Sequence, residues 1–293
     1  MLKCEYGKLM NNATTFKIGG PVFCFVEAVT YKALLEAIDI AKKEDKDIKV
    51  IGNGSNILFS DAGFDGIVVK LGDDFNYIER HGDSLKVGSA VLMSKLIAQC
   101  KDLTLTGCEF LLGIPGSFGG AVFMNAGVRD TGGEKGRIEI KDIIEEVEVL
   151  DLNNKKRKIL KKDDIPFKYR SSGLSEKIVL SAKIGLDPGS EKEIDDKINT
   201  FRERRIWMNK LFYPSAGSVF KNPDSGESAG SLIEDCGLKG YSIGDALISE
   251  EHANFIVNRG NASSKDVLEL IELAKKSVKE KFNIDLELEL KII

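Results

Sequence analysis

LTGCEFLLGIPGSFGGAVFMNAG, residues 105–127, is the stretch on which the reading of this chain turns. It holds six glycines, at 107, 113, 116, 119, 120 and 127, and one proline. GIPGSFGG, residues 113–120, contains no charged residue. Glycine tolerates positive φ and lets a backbone come close to a ligand. Successive main-chain N–H groups in such a turn form an anion-binding hollow. No Gly-Lys-Ser/Thr follows, so this is not a nucleoside-triphosphate P-loop. A mobile glycine linker is the ordinary alternative. Ile114, Phe118, Val122 and Phe123 are too apolar for one. The expectation is a packed loop that presents main-chain donors to something negative.

A second uncharged glycine turn lies upstream. Residues 23–29, FCFVEAV, read as a strand, and Thr30 is placed to cap a helix whose apolar positions are Leu34, Ile38 and Ala41. Residues 48–51 form the next strand, which completes a β-α-β unit. GNGSN, residues 52–56, leaves that strand and offers free N–H groups, a hydroxyl and two amides. A lone G-x-G is more often an ordinary turn, and no G-x-G-x-x-G opens a helix here. Two such loops together favour a shared diphosphate ligand.

Further along, strands are expected over 66–71, 76–80, 85–88 and 178–186, and a helix over 91–101. Residues 143–152 and 156–160 read as a hairpin through Asn153-Asn154. Residues 163–173, DDIPFKYRSSG, form a loop carrying Tyr169 and Arg170. After Pro188-Gly189-Ser190, Ile194, Ile198 and Phe201 mark an amphipathic helix ending in Arg202, Arg204 and Arg205. A turn-rich loop follows at 214–223, then a short helix at 231–236 stopped by Gly237 and a strand at 252–258. Ser263 or Ser264 caps the last helix, with its stripe of Val267, Ile271, Ala274, Val278 and Phe282. In the tail, Ile284, Leu286, Leu288, Leu290 and Ile292 alternate with Asp285, Glu287, Glu289 and Lys291, which predicts a half-buried strand. Short strands mixed with helices give an α+β architecture.

Bulk composition narrows the function. The chain has 293 residues, room for two or three domains, and 42% hydrophobic residues, enough for a large core. Its 46 acidic and 42 basic residues, net −4, favour neither nucleic acid nor a membrane surface as partner. No apolar run reaches the roughly 18–20 residues of a membrane span, and residues 1–20 hold no secretory apolar core. Five cysteines without C-x-x-C spacing, and only two histidines, argue against disulfides and against a bound metal. The cytoplasm is the expected compartment.

Seven blocks stand in one order: TTFKIGGP at 14–21, VIGNGSNILFSDAGFDGIVVKL at 50–71, GCEFLLGIPGSFGGAVFMNAG at 107–127, YRSS at 169–172, PSAGSVFKNP at 214–223, AGSLIEDCGLKG at 229–240 and EEHANFIVN at 250–258. Together they resemble the UDP-N-acetylenolpyruvoylglucosamine reductase family, in its shorter subclass that keeps Tyr-Arg-Ser-Ser. The resemblance implies a two-part FAD-binding region of vanillyl-alcohol-oxidase/PCMH type, residues 1–71 and 72–187. It also implies a C-terminal α+β substrate domain, residues 188–293. It gives the FAD diphosphate to Gly52, Asn53, Gly54, Ser55, Asn56 and Ile57, and to Ile114, Pro115, Gly116, Ser117, Gly119 and Gly120. It implies NADPH as co-substrate, non-covalent FAD, a UDP-sugar substrate and a monomer.

Three positions match the family's catalytic residues. The resemblance makes Ser218 the proton donor to the substrate's α-carbon. It makes Arg170 the partner of the substrate carboxylate, and a guanidinium fork suits a carboxylate. It gives Glu289, in LELEL, a part in stabilising or protonating the enolate; the strand alternation alone does not separate it from Glu287, and the family register chooses Glu289. Tyr169, Lys221 and Asn222 are implied as substrate contacts. Two departures stand out: MNAGVRDTGGE lacks the family's tyrosine and has Arg129-Asp130 near it, and residues 207–210, WMNK, replace Lys-Gln-Pro. Alternatives are another flavin oxidase of the same fold, or a flavin-binding protein without catalysis.

Overall fold

The computed structural model describes residues 3–130, 136–206, 210–224 and 226–293. Its contacts divide the chain into two units. One comprises Val26–Gly52 and Val68–Ile206, and the other Glu5–Phe25, Asn53–Ile67 and Trp207–Ile293. Among the described residues, no helix is long and apolar enough to cross a membrane.

In the first unit the β-α-β expectation is met locally. Helix α1, Tyr31–Lys43, starts where Thr30 Oγ1 accepts from the Ala33 N–H at 3.1 Å. Its buried face is Ala33, Leu34, Ala37, Ile38 and Ala41. The strand Asp47–Ile51 then delivers the chain to Gly52. It does not pair with Val22–Ala28; Phe64–Leu71 lies between them in the sheet.

A five-stranded antiparallel sheet carries the rest of this unit. Its order is Arg157–Lys161, Ile144–Asp151, Lys177–Gly185, Ser84–Gly88, Ile78–His81. The predicted hairpin is there, with Leu150 opposite Arg157, and Asp151 Oδ1 accepting from the Asn153 and Asn154 N–H groups in its turn. Val147, Val149, Ala182, Ile184, Leu85 and Val87 of these strands enter a core shared with α2 (Met93–Asp102), α3 (Phe118–Met124) and α4 (Glu191–Arg204). Fully burying such a side chain contributes about 1.5–3 kcal/mol. Cys100 and Cys108 are neighbours in this core. Contact with Cys100, then burial, pushes the Cys108 thiol well above its usual range, so it behaves as a small hydrophobe.

The glycine block is loop only as far as Ser117. Phe118 opens α3, although FGGAVFM has poor helix propensity. Phe118 and Val122 are fully buried, and that packing outweighs the glycines.

The second unit is built on a four-stranded antiparallel sheet in the order Ser215–Ser218, Phe255–Asn258, Ala246–Ile248, Ser242–Ile243. Helix α5, Ala229–Asp235, is capped by Ser228 and followed by Gly237 at φ 73. Helix α6, Ser264–Phe282, opens on a capping box. Ser263 Oγ accepts from the Asp266 N–H at 3.1 Å, and Asp266 Oδ2 accepts from the Ser263 N–H at 2.9 Å. Its stripe of Val267, Leu270, Ile271, Ala274 and Val278 packs into the core of this unit.

The tail corrects a sequence expectation. Residues 284–292 do not form one regular strand; only Lys291–Ile292 is strand, and it pairs in parallel with Ile57–Leu58. Residues 287–290 instead follow residues 219–221. The Lys221 N–H donates to the Glu287 carbonyl at 2.8 Å, and the Val219 carbonyl accepts from the N–H groups of both Glu289 and Leu290, at 2.9 and 3.2 Å. One carbonyl serving two donors breaks the ladder, and the segment then changes partner. The alternation survives in part: Leu286 and Leu290 are buried, but Ile292 is 45% exposed.

Candidate active site

The two glycine loops touch within the first unit. A Cβ on Gly52 would lie 2.3 Å from Ser117 Oγ, so only glycine fits. A Cβ on Gly119 would lie 2.5 Å from the Ser89 Cβ. Ser89 Oγ is buried and has no partner among the described residues. Gly116 has φ 116 and Gly113 φ 74, backbone conformations that favour glycine. Ser117 Oγ accepts from the Gly120 N–H at 3.4 Å. An uncharged loop with crowded glycines, no lysine and an orphaned Ser89 hydroxyl beside it suits the diphosphate of a dinucleotide, so the residues fit FAD on this side. In the second unit Gly54, at φ 63, has its carbonyl held by the Thr15 N–H at 3.2 Å.

Arg170 sits at the tip of a tight turn of the first unit. Lys168 and Ser171 exchange hydrogen bonds of 2.8 and 3.0 Å across it. Arg170 itself has φ 57, a left-handed conformation that side chains other than glycine rarely hold. Its Nη2 donates to the Gly127 carbonyl at 3.0 Å. Two guanidinium groups approach the Tyr169 ring, Arg137 at 3.6 Å and Arg170 at 5.0 Å from its centroid. Arg205 is a neighbour that sequence reasoning read only as the basic end of a helix. Burial, and then the charge of Arg170, pull its pKa down to about 10, so it is still a cation at neutral pH. Its stem crosses Gly113, where a Cβ would lie 2.7 Å from Arg205 Cδ. No periodicity in the sequence brings residues 113, 170 and 205 together; the α4 C-terminus does.

In the second unit the backbone of Glu289 runs beside Val219, the residue after Ser218. The strand Ser215–Ser218 is irregular against Phe255–Asn258: Ser215 faces Val257 and Ser218 faces Phe255. Gly217, at φ 76, makes the extra step, and a bulge of this kind re-aims the next side chain. Asn254, which sequence reading passed over, locks the second residue after Ser218: its Oδ1 accepts from the Phe220 N–H at 2.9 Å and its Nδ2 donates to the Phe220 carbonyl at 2.8 Å. Glu289 is held to the Val219 carbonyl through its N–H. Its own carbonyl accepts from Asn56 Nδ2 at 3.2 Å. Thr15 Oγ1 donates to the Ser215 carbonyl at 2.7 Å.

The other expected substrate contacts are nearby in sequence but differently engaged. Lys221 Nζ donates to Glu287 Oε2 at 3.1 Å, and that carboxylate is exposed. Such exposed pairs contribute little and exchange readily for another anion. Asn222 Oδ1 accepts from the Ala229 N–H at 3.0 Å, at the first turn of α5. The departure at 128–131 is partly visible: Gly127–Arg129 pairs with Arg137–Glu139, and Asp130 N donates to the Gly136 carbonyl at 3.0 Å. Residue 131 and, at the second departure, residues 207–209 lie outside the described residues; Lys210 of that departure is described. A cavity of about 700 Å³ in the first unit, lined by Glu109, Phe110, Lys197 and Phe201 among others, includes none of the expected site residues. Among the described residues, no group of three metal-ligating side chains occurs.

This architecture is that of a flavin-binding protein of the vanillyl-alcohol-oxidase/PCMH class with an added C-terminal α+β domain. Residues 23–157 match an FAD binding domain family, and residues 209–293 match the C-terminal domain family of UDP-N-acetylenolpyruvoylglucosamine reductase. A UDP-N-acetylenolpyruvoylglucosamine reductase from Caldanaerobacter subterraneus is 44% identical over 97% of this chain and 91% of its own length. The crystal structure of the reductase of Thermus caldophilus superposes with TM-score 0.84 at 35% identity, covering 100% of this chain and 99% of that one. A BBE-like protein of Physcomitrella patens shares the fold alone, with TM-score 0.50 at 16% identity over 94% of this chain and 58% of its own. The chain belongs to the UDP-N-acetylenolpyruvoylglucosamine reductase family.

Proposed function

We propose that Arg170, Ser218 and Glu289 handle charge and protons while this chain reduces enolpyruvyl UDP-N-acetylglucosamine to UDP-N-acetylmuramate, a step of peptidoglycan precursor synthesis. FAD, when bound, would supply the redox chemistry that links NADPH oxidation to hydride addition at the enolpyruvyl β-carbon. Gly52, Asn53, Gly54, Ser55, Asn56 and Ile57, with Ile114, Pro115, Gly116, Ser117, Gly119 and Gly120, would hold its diphosphate through neutral donors.

Arg170 binds the substrate carboxylate, and its fixed fork opposes the charge that builds there as the α-carbon becomes enolate-like. Ser218 Oγ gives its proton to that carbon. A serine is a weak acid, but the carbon it faces is a strong base. The alkoxide left behind regains a proton from water. Glu289 stabilises or protonates the enolate from the neighbouring backbone. Lys221 exchanges its exposed partner for an anionic group of the sugar nucleotide, and Asn222 and Tyr169 complete the contacts. The hydrogen bond from the Glu289 N–H to the Val219 carbonyl carries this reading, because it holds two proton-handling residues on adjacent backbone.

The flavin is non-covalent, since neither loop, 52–57 or 114–120, contains cysteine or histidine. The protein works as a cytoplasmic monomer, in three functional parts, 1–71, 72–187 and 188–293. Stopped-flow absorbance on the Ser218→Ala variant tests the proton-donor assignment. NADPH should still bleach the flavin at the wild-type rate, while recovery with the enolpyruvyl substrate should slow roughly 10²–10⁴-fold. Wild-type recovery would remove Ser218 from the mechanism.

A further inference from the structure

The geometry points to Asn125 as a positioning residue for Arg170, acting through the loop that carries the guanidinium. The inference rests on the reading of Arg170 as the carboxylate's partner. Asn125 closes α3 in the left-handed region, at φ 45, and is fully buried. Its Nδ2 donates to the Lys168 carbonyl at 3.0 Å and to Glu139 Oε2 at 3.0 Å. Its Oδ1 accepts from the Lys141 N–H at 3.2 Å. Both amide protons and the carbonyl are therefore committed to fixed partners.

Those partners bracket Arg170. Lys168 is the first residue of the turn that Ser171 closes, with Tyr169 and Arg170 at its tip. On the far leg, Ser172 donates to the Phe123 carbonyl twice, from Oγ at 2.7 Å and from its N–H at 3.2 Å. Phe123 lies two residues before Asn125. Two residues after Asn125, the Gly127 carbonyl receives Arg170 Nη2. The last turn of α3 and its cap thus grip both legs of the loop, and the strand that follows, Gly127–Arg129, holds the guanidinium. A backbone held in a sparse φ region costs about 1–3 kcal/mol and persists only where its surroundings over-determine it. This clamp is what over-determines Arg170.

One residue type meets both demands on position 125. The left-handed cap favours glycine, asparagine or aspartate. Glycine has no amide to bridge Lys168 and Glu139. Aspartate would set a second carboxylate against Glu139, which already pairs with Lys141 Nζ at 2.9 Å, and it could not donate to the Lys168 carbonyl.

The test uses the FAD-loaded enzyme and two variants. Asn125→Gly keeps the cap and removes the clamp. Ser172→Ala removes one bond of the other leg and leaves its N–H in place, so it stays folded even if the first variant does not. Flavin reduction by NADPH should stay within about twofold of wild type. Flavin recovery with the enolpyruvyl substrate should slow roughly 10–100-fold in Asn125→Gly, as expected for a reacting partner misplaced by about 1 Å, and less in Ser172→Ala. Arg170→Ala should be slow by itself, and adding Asn125→Gly to it should cost no more than about twofold, because coupled sites are not additive. Multiplying losses, or equal slowing of both half-reactions, overturns the positioning role. A slow Arg170→Ala beside a normal Asn125→Gly overturns the clamp alone; a normal Arg170→Ala overturns both.

Discussion

Gly52 leaves no space for a methyl group, since its Cβ would meet Ser117 Oγ at 2.3 Å. Ser117 is the N-cap of a helix whose first residue is fully buried, so the hydroxyl cannot retreat freely. Overpacking of this kind costs about 1–3 kcal/mol, and here it would push Gly52 away from Ser117. Gly52→Ala should bind FAD roughly tenfold to a hundredfold more weakly, read by fluorescence titration of apoenzyme. Unchanged affinity would mean that the contact plays no part in the cofactor site. A simple glycine motif would not have foretold the partner, because nothing in residues 52–56 names a serine 65 positions later.

At the scale of elements, His252 connects the strand Phe255–Asn258 to α5. Its ring stands edge-on to Phe255 at 5.2 Å, and its Nδ1 accepts from the Asn254 N–H at 3.2 Å. Burial lowers its pKa below the ordinary histidine value of 6.5, so the folded protein holds it neutral. The folded pKa is the depressed one, and the unfolded chain therefore binds the extra proton first. Its contribution is complete above about pH 6.5 and falls as pH drops toward the folded value. Thermal melts across pH 5 to 8 should show this acid loss in the wild type and a smaller one in His252→Gln. Identical pH slopes would exclude His252 as the source. The helix start at Thr30 was legible, and the one at Ser263 was narrowed to Ser263 or Ser264, because a capping residue is local; the cap at Ser190 was not read from the sequence. The tail was not, because its change of partner at Glu289–Lys291 depends on which segments lie alongside it.

At the scale of the molecule, each unit has its own buried core, one around Leu85, Phe118 and Ile184 and the other around Phe220, Leu232 and Ile271. A ligand that binds only the folded chain stabilises it by mass action, about 2.7 kcal/mol at a hundred times its dissociation constant. The melting temperature of apoenzyme should therefore rise steadily with FAD concentration, and rise less in Gly52→Ala. A melting temperature indifferent to FAD would contradict a native-state flavin site.

The order of the seven blocks, the uncharged glycine loops and the amphipathic helices were all present in the linear chain. They determined the family, the class of cofactor and most element positions, because capping, periodicity and glycine permissiveness act over a few residues. Tertiary structure alone decided the rest: that Asn125 grips the Arg170 turn, that Asn254 and Asn56 fix the backbone at Phe220 and Glu289, and that Arg205 approaches Arg170. These contacts join residues 34 to 233 positions apart, and a contact across such a distance leaves no periodic trace in sequence.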